Sequence, residues 1–455
     1  MSGSEGRGSL AELVRLALPV IASRIGIMAM GLTDAIVVGH YSSVELGYHA
    51  LGWAPTMVVL TTGVGLLMGV QVLTAQLIGE GRERDAGTVL TRGVLFAVAV
   101  GLASGLILYV GAMPFMHLVG LEASLAIGAA RVAQLFALSL PLYLVAVAIT
   151  FWLEALERPG PAAAFMWAAN IVNLAANLWL VPGHSPFGID GAEASAVSTF
   201  IARVALVVGL GAYVLMWRPA RRDYGLGERH GSAPGWRPLL RIGIASAASL
   251  FVESAAFGGM NVIAGQLGAL PAAAWAIVLN VAAVVFMVPL GLASATAVLV
   301  GRGWGERSMA HVRASGYLGL AVTGALLTVV MAAVWAAPGL VARAYTADPA
   351  LLALTTPAIA LAALFFVADG LQVVGAHALR ARDDVWIPTL THTLSYAVVM
   401  LPLGYALAHL TPLGLDGIVW AVIVASLFAA GFLIGRFWWL SRRSGLKMQR
   451  LERGA

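Results

Sequence analysis

Residues 15–23 read RLALPVIAS, and residues 241–249 read RIGIASAAS, so two similar segments lie 226 residues apart. The same offset recurs along the rest of the chain. It pairs Gly39 with Gly265, Gly65 with Gly291, Gly79-Glu80 with Gly305-Glu306, and PFGIDG at 186–191 with PLGLDG at 412–417. Glycines and prolines matched at one fixed offset are a repeat signal, which apolar similarity alone would not be. The sequence therefore predicts an internal duplication.

The composition predicts an all-α integral membrane protein. Hydrophobic residues make up 60% of the 455 residues and charged residues 11%, which no soluble domain matches. A helix that crosses a membrane needs about 20 apolar residues. Twelve stretches qualify, at residues 10–38, 48–78, 88–114, 124–153, 161–182, 190–217, 238–264, 272–300, 311–337, 350–378, 386–408 and 414–440. The first is too long for a secretory signal and lacks a cleavage pattern, so we keep it as a span.

Each half holds six spans, an even number, so both halves enter the membrane from the same side and the repeat is parallel. We expect an N-terminal six-helix lobe at 1–217, a cytoplasmic linker at 218–237, and a C-terminal six-helix lobe at 238–455 with a short cytoplasmic tail. Arginines cluster in the connections after even-numbered spans and in the tail. The positive-inside rule then places both termini in the cytoplasm, for a multi-pass protein of the inner membrane.

The same features exclude several classes of protein. The net charge of +5 follows membrane topology and does not indicate nucleic-acid binding. The chain has no cysteine, which excludes disulfides and thiolate metal sites. We find no phosphate-binding loop, no nucleophile motif and no soluble catalytic domain. We therefore expect no enzyme and no cofactor.

Three carboxylates stand alone in long apolar stretches: Asp34, Glu253 and Asp369. A charged side chain at the centre of a bilayer costs about 2.5–3.5 kcal/mol on insertion scales, so such groups usually mark an ion, proton or substrate pathway. The three acids also break the repeat, since Asp34 aligns with Met260 and Glu253 with Ile27. We expect each acid to serve a task that belongs to one lobe.

Asp34 lies toward the outer end of the first span. Asn170, Asn173 and Asn177 share one face of the fifth span and could hydrogen-bond Asp34 or a bound cation. Burial disfavours the charged form of a carboxyl, so Asp34 could take up a proton outside and release it inside. The alternative is an interface carboxylate that reaches to water, with asparagines that hold helices together.

Glu253 and Asp369 lie in the seventh and tenth spans. If they converge, they form an acidic site for a hard cation such as Na⁺ or for a shared proton. Asn280 could add an oxygen ligand, and Phe365 could form an aromatic wall. The alternative is a salt bridge to a buried arginine, but neither span carries an arginine near these acids.

Four other polar or helix-breaking features lie in or beside predicted spans. Pro19 interrupts the first span, and the resulting kink either bends during function or is static. Arg24 and Arg203 could pair with acids or line a polar cavity. Glu154, with residues 157–158, is expected in a solvated cytoplasmic cluster.

At this point the chain resembles the multidrug and toxic compound extrusion (MATE) transporters, in their NorM-like bacterial branch. The resemblance covers nearly the whole chain. It rests on LALPV at 16–20, MGLTD at 30–34, AQLIGEG at 75–81, LFVE at 250–253, ADGLQVVG at 368–375 and ALR at 378–380. An acid in the seventh span together with the DGLQVV stretch is the more specific part.

The resemblance implies two six-helix lobes that exchange cationic drugs for Na⁺ or H⁺. It implies a cation site at Glu253 and Asp369. It implies a second site for a proton, cation or drug at Asp34 with Asn173 and Asn177, to which Thr199 is a weaker match. One departure is AWAIVLN at 274–280, where relatives often carry His-Gln before the asparagine. That departure puts the polar contribution of the eighth span in doubt.

The sequence therefore predicts an antiporter that exports lipophilic organic cations and couples to Na⁺ or H⁺. We expect it to be a monomer that contacts membrane lipid and no nucleic acid. The first alternative is a lipid or lipid-linked oligosaccharide flippase of the same superfamily, which Arg24 and Arg203 would suit. A membrane-embedded polyprenyl transferase would need Asp-x-x-Asp spacing in its loops, which is missing. A channel would not need acids restricted to single lobes.

Overall fold

The structure is a computed structural model that describes residues 9–184, 188–228 and 234–453, with side chains described as far as Arg442. Pro186 and Phe187 of the repeat motif, Arg229 of the linker and the tail side chains from Arg443 onward lie outside this part.

Twelve helices in the described part are long and apolar enough to cross a membrane. We number them in chain order: α1 Leu10–Tyr41, α2 Ser43–Gly79, α3 Glu83–Leu118, α4 Ala123–Ala155, α5 Pro159–His184, α6 Gly191–Met216, α7 Trp236–Gln266, α8 Ala269–Gly305, α9 Met309–Ala336, α10 Pro349–Ala381, α11 Trp386–His409 and α12 Leu415–Arg442. Each overlaps one predicted span, and the all-α membrane fold is confirmed. Two short helices, Arg218–Arg222 and Pro338–Arg343, lie between them.

Side-chain caps mark where several helices begin. The Ser42 hydroxyl accepts a hydrogen bond from the Glu45 amide at the start of α2, and Ser308 does the same for α9. The Asp348 carboxylate accepts from the Ala350 amide before α10. Such caps satisfy amides that the first helical turn leaves unpaired, so these polar residues determine where the chain re-enters a helix.

The chain folds into two compact units, one made of two separate segments and the other of one continuous segment that starts inside α1. One unit comprises residues 1–21 and 248–455, and the other comprises residues 22–247. Both divisions fall inside a helix, after Ile21 in α1 and after Ala247 in α7, which are 226 residues apart. The division into lobes at the 218–237 linker stays a proposal. The first turns of α1, as far as Ile21, group with residues 248–455. The first turns of α7, as far as Ala247, group with residues 22–247.

A glycine contacts the backbone closely at each of these two helix starts. A Cβ on Gly65 of α2 would lie 2.7 Å from the Ala247 Cα, within the unit 22–247. A Cβ on Gly291 of α8 would lie 2.9 Å from the backbone nitrogen of Ile21, within the other unit. Only glycine permits such backbone approach. The two contacts are related by the offset of 226, so the repeated Gly65 and Gly291 serve the same packing role.

The backbone repeats the offset as well. Three pairs of residues 226 apart adopt left-handed φ angles at corresponding helix ends or turns. They are Gly81 (71°) with Arg307 (57°), Glu157 (59°) with Asp383 (72°), and Gly188 (67°) with Gly414 (53°). Non-glycine residues rarely adopt positive φ, so its recurrence at Glu157 and Asp383 indicates one fold used twice.

Candidate functional site

Asp34 is buried in a hydrogen-bonded cluster formed by α1, α5 and α6. The Asn173 and Asn177 amides donate to Asp34 Oδ1 at 2.9 and 2.7 Å, and the Thr199 hydroxyl donates to Oδ2 at 2.6 Å. Asn173 also lies 3.3 Å from the Thr199 hydroxyl. The structure thus brings together the four residues predicted for the first-lobe site. Asp34 is 3% exposed, so these bonds replace the water that an ionised carboxylate would need.

Two oxygens in this cluster have no hydrogen-bond partner. They are Oδ1 of Asn173 and Oδ1 of Asn177, both buried. A half-turn of either amide would present an acceptor to Asp34 in place of a donor. Thr199 can also donate or accept. The cluster can therefore serve an ionised carboxylate, a protonated carboxyl or a cation that needs oxygen ligands. His49 is buried and interacts electrostatically with Asp34.

The third asparagine of this face has a different role. Asn170 donates to the carbonyl oxygens of Gly26 and Met166 at 3.0 and 2.9 Å. Gly26 belongs to α1 and Met166 to α5, so Asn170 ties α5 to α1. Asn170 therefore holds two helices together, as the alternative interpretation predicts, whereas Asn173 and Asn177 contact Asp34.

The prediction of a solvated cytoplasmic cluster was wrong for Glu154. It is buried, and its Oε1 and Oε2 lie 3.1 and 3.3 Å from Arg24 Nη2. Gln71 donates to Oε2 at 2.7 Å, and the Arg24 guanidinium lies over the Phe151 ring at 5.5 Å. Arg24 lies inside the membrane span, so its charge requires a buried partner. The sequence placed Glu154 at a helix end and gave no sign that α1 and α4 would meet there.

Arg203 has no carboxylate partner at salt-bridge distance among the described residues. It is buried on α6, one turn after Thr199, and its Nη1 donates to the Ser139 hydroxyl at 2.6 Å. The Tyr143 ring lies 4.8 Å from its guanidinium carbon. Arg203 also interacts electrostatically with Asp34, so its charge offsets that of the acid.

Glu253 of α7 and Asp369 of α10 lie close enough to interact electrostatically, within the unit 1–21 and 248–455. Gln372 donates to Asp369 Oδ1 at 3.3 Å. Asp369 is buried and Glu253 half-buried, and neither forms a salt bridge in the described part of the chain. Two acids without a fixed counter-charge at contact distance suit a cation from outside the protein.

Two neutral oxygens lie near this pair, the Tyr396 hydroxyl and Gln372 Oε1. Both are buried, and neither forms a hydrogen bond of ordinary geometry. Tyr396 interacts electrostatically with both carboxylates. It lies in the π-helical segment Thr393–Met400 of α11, and π segments occur often at functional sites. Carboxylate, amide and phenol oxygens are ligands that hard cations accept.

The expectation that no arginine lies near these acids is wrong for Arg380. It is on α10 with Asp369, is 1% exposed and interacts electrostatically with Glu253. The positive-inside pattern predicts solvated arginines in the connection after the tenth span, but the structure buries Arg380. The ALR stretch contained the residue, yet a sequence does not show whether an arginine at a helix end turns outward or inward.

Three further predicted residues lie elsewhere. Asn280 is exposed, and its Oδ1 accepts a hydrogen bond from the Tyr345 hydroxyl at 2.9 Å, so its role as a cation ligand stays a prediction. Phe365 is 1% exposed and packs edge-on against Phe366 in the apolar core, so it does not form an open aromatic wall. Pro19 lies two residues before the point where α1 passes from one compact unit to the other.

The chain is similar in sequence and in fold to known proteins. The MatE family model matches residues 19–179 and again residues 245–406, once in each half of the repeat. The chain belongs to the MatE family. It is 49% identical to a probable multidrug resistance protein NorM of Caulobacter vibrioides over 428 residues, which cover 94% of this chain and 91% of that protein. It is 27% identical to the multidrug resistance protein PmpM of Pseudomonas aeruginosa, across 98% of this chain and 95% of that protein.

Solved structures share the fold of this MatE protein. A MATE transporter crystallised in a bent conformation gives a TM-score of 0.84 at 18% identity, with 95% of this chain and 96% of that chain covered. A MOP superfamily transporter from Pyrococcus furiosus gives 0.85 at 18% identity, with 95% of each chain covered. Together with the family match and the named relatives, the twelve spans identify the chain as a multi-pass membrane transporter and not an enzyme.

Proposed function

We propose that this MatE transporter is a secondary antiporter that exports lipophilic organic cations in exchange for Na⁺ or H⁺. The observation that carries the proposal is the pair Glu253 and Asp369, two carboxylates within membrane helices that no salt bridge neutralises in the described residues. Such a pair is costly in lipid unless it binds a cation or a proton during function. The relatives are named as multidrug resistance proteins, which supports a drug-like substrate.

The exchange works by competition between two cations. The coupling ion enters from the outer side and neutralises the carboxylates, whereas the organic cation is bound from the inner side. Linkage requires each ligand to lower the affinity for the other by the same factor. Alternating access then moves the ion inward and the drug outward. This scheme needs no cofactor and works with a single copy of the chain. The protein would lie in the inner membrane, with both termini in the cytoplasm.

The Asp34 cluster provides a second exchange site in this scheme. Its amides can face either an ionised or a protonated carboxyl. Asp34, Asn173, Asn177 and Thr199 would therefore bind a proton, a cation or a drug. Pro19 would provide the bend in α1 that couples this site to the change of conformation.

A lipid or lipid-linked oligosaccharide flippase is the second candidate. The observation that favours it is the buried guanidinium of Arg203, which no carboxylate pairs at contact distance in the described chain. A phosphate headgroup would suit such a group. Arg24 no longer supports this candidate, because Glu154 pairs it.

The test is efflux of a cationic dye from proteoliposomes, driven in separate experiments by a Na⁺ gradient and by a pH gradient. We expect one gradient to drive efflux, and we expect Asp369→Asn to reduce it by at least about 100-fold because the carboxylate that binds the ion is lost. Asp223→Asn is the matched control, since Asp223 is an exposed acid of the linker. Dye efflux that needs neither gradient, or that Asp369→Asn leaves intact, would reject the antiporter. Movement of a fluorescent anionic lipid in the same vesicles would favour the flippase.

A further inference from the structure

Arg380 is a buried charge without a fixed partner. It is 1% exposed, and within the described chain it forms no salt bridge. Its Nε and Nη2 atoms have no hydrogen-bond partner at all. An unpaired guanidinium inside a membrane protein is costly, and such groups are usually paired or functional. Arg382, two residues later, differs in this respect, since its Nη1 donates to the Ser441 hydroxyl at 3.0 Å and its guanidinium faces the rings of Trp304 and Phe437.

Arg380 and Asp369 lie on nearly the same face of α10, about three turns apart. Asp369 lies eleven residues earlier on α10, about 16 Å along the axis at 1.5 Å per residue. Side chains of a helix lean toward its N-terminus, so the long side chain of Arg380 extends back in the direction of Asp369. The guanidinium interacts electrostatically with Glu253 and with His392 of α11. The His392 ring is held by the Ser249 hydroxyl of α7 at 2.7 Å.

The net charge of the site depends on Arg380. With both carboxylates ionised and the histidines neutral, Glu253, Asp369 and Arg380 together carry one negative charge. One monovalent cation, or one proton, neutralises that site, and a second would leave it positively charged. We propose that Arg380 is a built-in counter-charge of the Glu253–Asp369 site, which limits the site to one monovalent ion and weakens its binding enough for release.

The counter-charge acts through the carboxylates and does not contact the ion, so Arg380 is a positioning residue. Like charges repel across several ångströms in a membrane interior, where water screens them poorly. The bound ion therefore dissociates faster than it would from two acids alone. Faster release matters for an exchanger, because the site must be emptied before the organic cation can occupy it. This inference rests on the proposed exchange function.

The test measures the coupling ion that drives the wild-type protein in the dye-efflux experiment, Na⁺ or protons. Arg380→Gln removes the charge, and we expect the half-saturating concentration of that ion to fall about tenfold, an order of magnitude typical of one charge at partial screening. The maximal rate of dye efflux should fall with it, because release of the ion becomes slow. A misfolded fraction would lower the maximal rate of efflux but leave the half-saturating ion concentration unchanged. A fall in both quantities therefore distinguishes the loss of the charge from misfolding.

Two variants complete the experiment. Arg380→Lys keeps the charge, and we expect its ion half-saturation to stay within about threefold of wild type. Arg382→Gln removes a buried arginine from the same helix end and should leave ion half-saturation unchanged. An unchanged value in folded Arg380→Gln protein, or a tenfold shift in Arg380→Lys, would overturn the inference. If Asp369→Asn is inactive while Arg380→Gln binds the ion as the wild type does, the exchange function stands and only this inference fails.

Discussion

In the unit formed by residues 22–247, the Asp34 carboxylate accepts three hydrogen bonds of 2.6–2.9 Å. In the other unit, Asp369 accepts one, of 3.3 Å, and half-buried Glu253 forms no salt bridge among the described residues. Both sites lie within apolar helices of the same repeated fold. Neutral groups of the protein hydrogen-bond the first carboxylate, whereas in our proposal a bound cation neutralises the second pair.

This difference extends to the arginines. Arg24 is held by Glu154 at 3.1 Å, whereas Arg380 has two guanidinium nitrogens without a partner. A carboxylate that accepts several hydrogen bonds stabilises the fold, and its loss leaves donors unpaired. A carboxylate with few bonds contributes little to the fold and can change partners at low cost. The comparison therefore predicts that stability depends more on the acids of the first unit than on those of the second.

The largest effect on stability is expected at the paired arginine. Glu154→Leu leaves the Arg24 charge buried without its carboxylate and should lower the free energy of unfolding by about 3–5 kcal/mol. Gln71 also loses an acceptor at 2.7 Å. Thermal unfolding of detergent-solubilised protein, followed by tryptophan fluorescence, measures the loss. The double variant Arg24→Met with Glu154→Leu should regain most of it, because an apolar pair replaces the ion pair. A single variant as stable as wild type would contradict the pairing.

Asp34→Asn tests the comparison directly against Asp369→Asn. The amide oxygen can still accept from Asn173 and Asn177, but the new amide nitrogen faces the Thr199 hydroxyl, which donates to Asp34. The charge-assisted bonds are also lost, so we expect a loss of about 2–3 kcal/mol. Asp369→Asn gives up one long hydrogen bond and should cost less than about 1 kcal/mol. Both variants unfold in the same fluorescence assay. Equal losses would mean that the two acids are held alike and that the contrast between the units is wrong.

Much of the architecture could be predicted from the sequence, because each feature has a local cause. Twelve apolar stretches of sufficient length give twelve helices, and the offset of 226 reappears in φ angles and in the contacts of Gly65 and Gly291. The division of the compact units inside α1 and α7 could not be predicted. It depends on which helix surfaces meet, and apolar surfaces in a membrane look alike in sequence.

The candidate sites divide in the same way. Solitary acids and an asparagine face are visible in sequence because polar residues are rare there, and Asp34, Asn173 and Asn177 do meet. The partners of polar residues near helix ends could not be predicted, since a polar residue there is usually solvated. Glu154 and Arg380 are both within one or two residues of a helix end and are both buried. Their inward direction is a property of the packing, and no spacing rule encodes it.

A smaller effect is expected at the hydroxyl that contacts Asp34. Thr199→Val removes the donor that lies 2.6 Å from Asp34 Oδ2 but preserves the shape of the side chain. Hydrogen bonds to a charged group contribute about 1.5–3 kcal/mol, and with Asn173 and Asn177 still bound to the acid we expect a loss near the lower end, about 1.5 kcal/mol. Thr199→Ser keeps the hydroxyl and serves as the control. Thermal unfolding that ranks the valine variant above the serine variant would contradict the role of this bond.

The smallest effect is expected at the phenol of the second unit. The Tyr396 hydroxyl is buried beside Glu253, Asp369 and Ser426 but forms no hydrogen bond of ordinary geometry, so Tyr396→Phe removes a group whose desolvation is poorly offset. The free energy of unfolding should fall by less than about 0.5 kcal/mol, because no bond of ordinary geometry is lost. The half-saturating concentration of the coupling ion should rise severalfold if the phenol oxygen joins the carboxylates around it. A loss of stability as large as that of Thr199→Val would show that the phenol is already bonded in the ion-free protein, and the second site would then be satisfied from within, like the first.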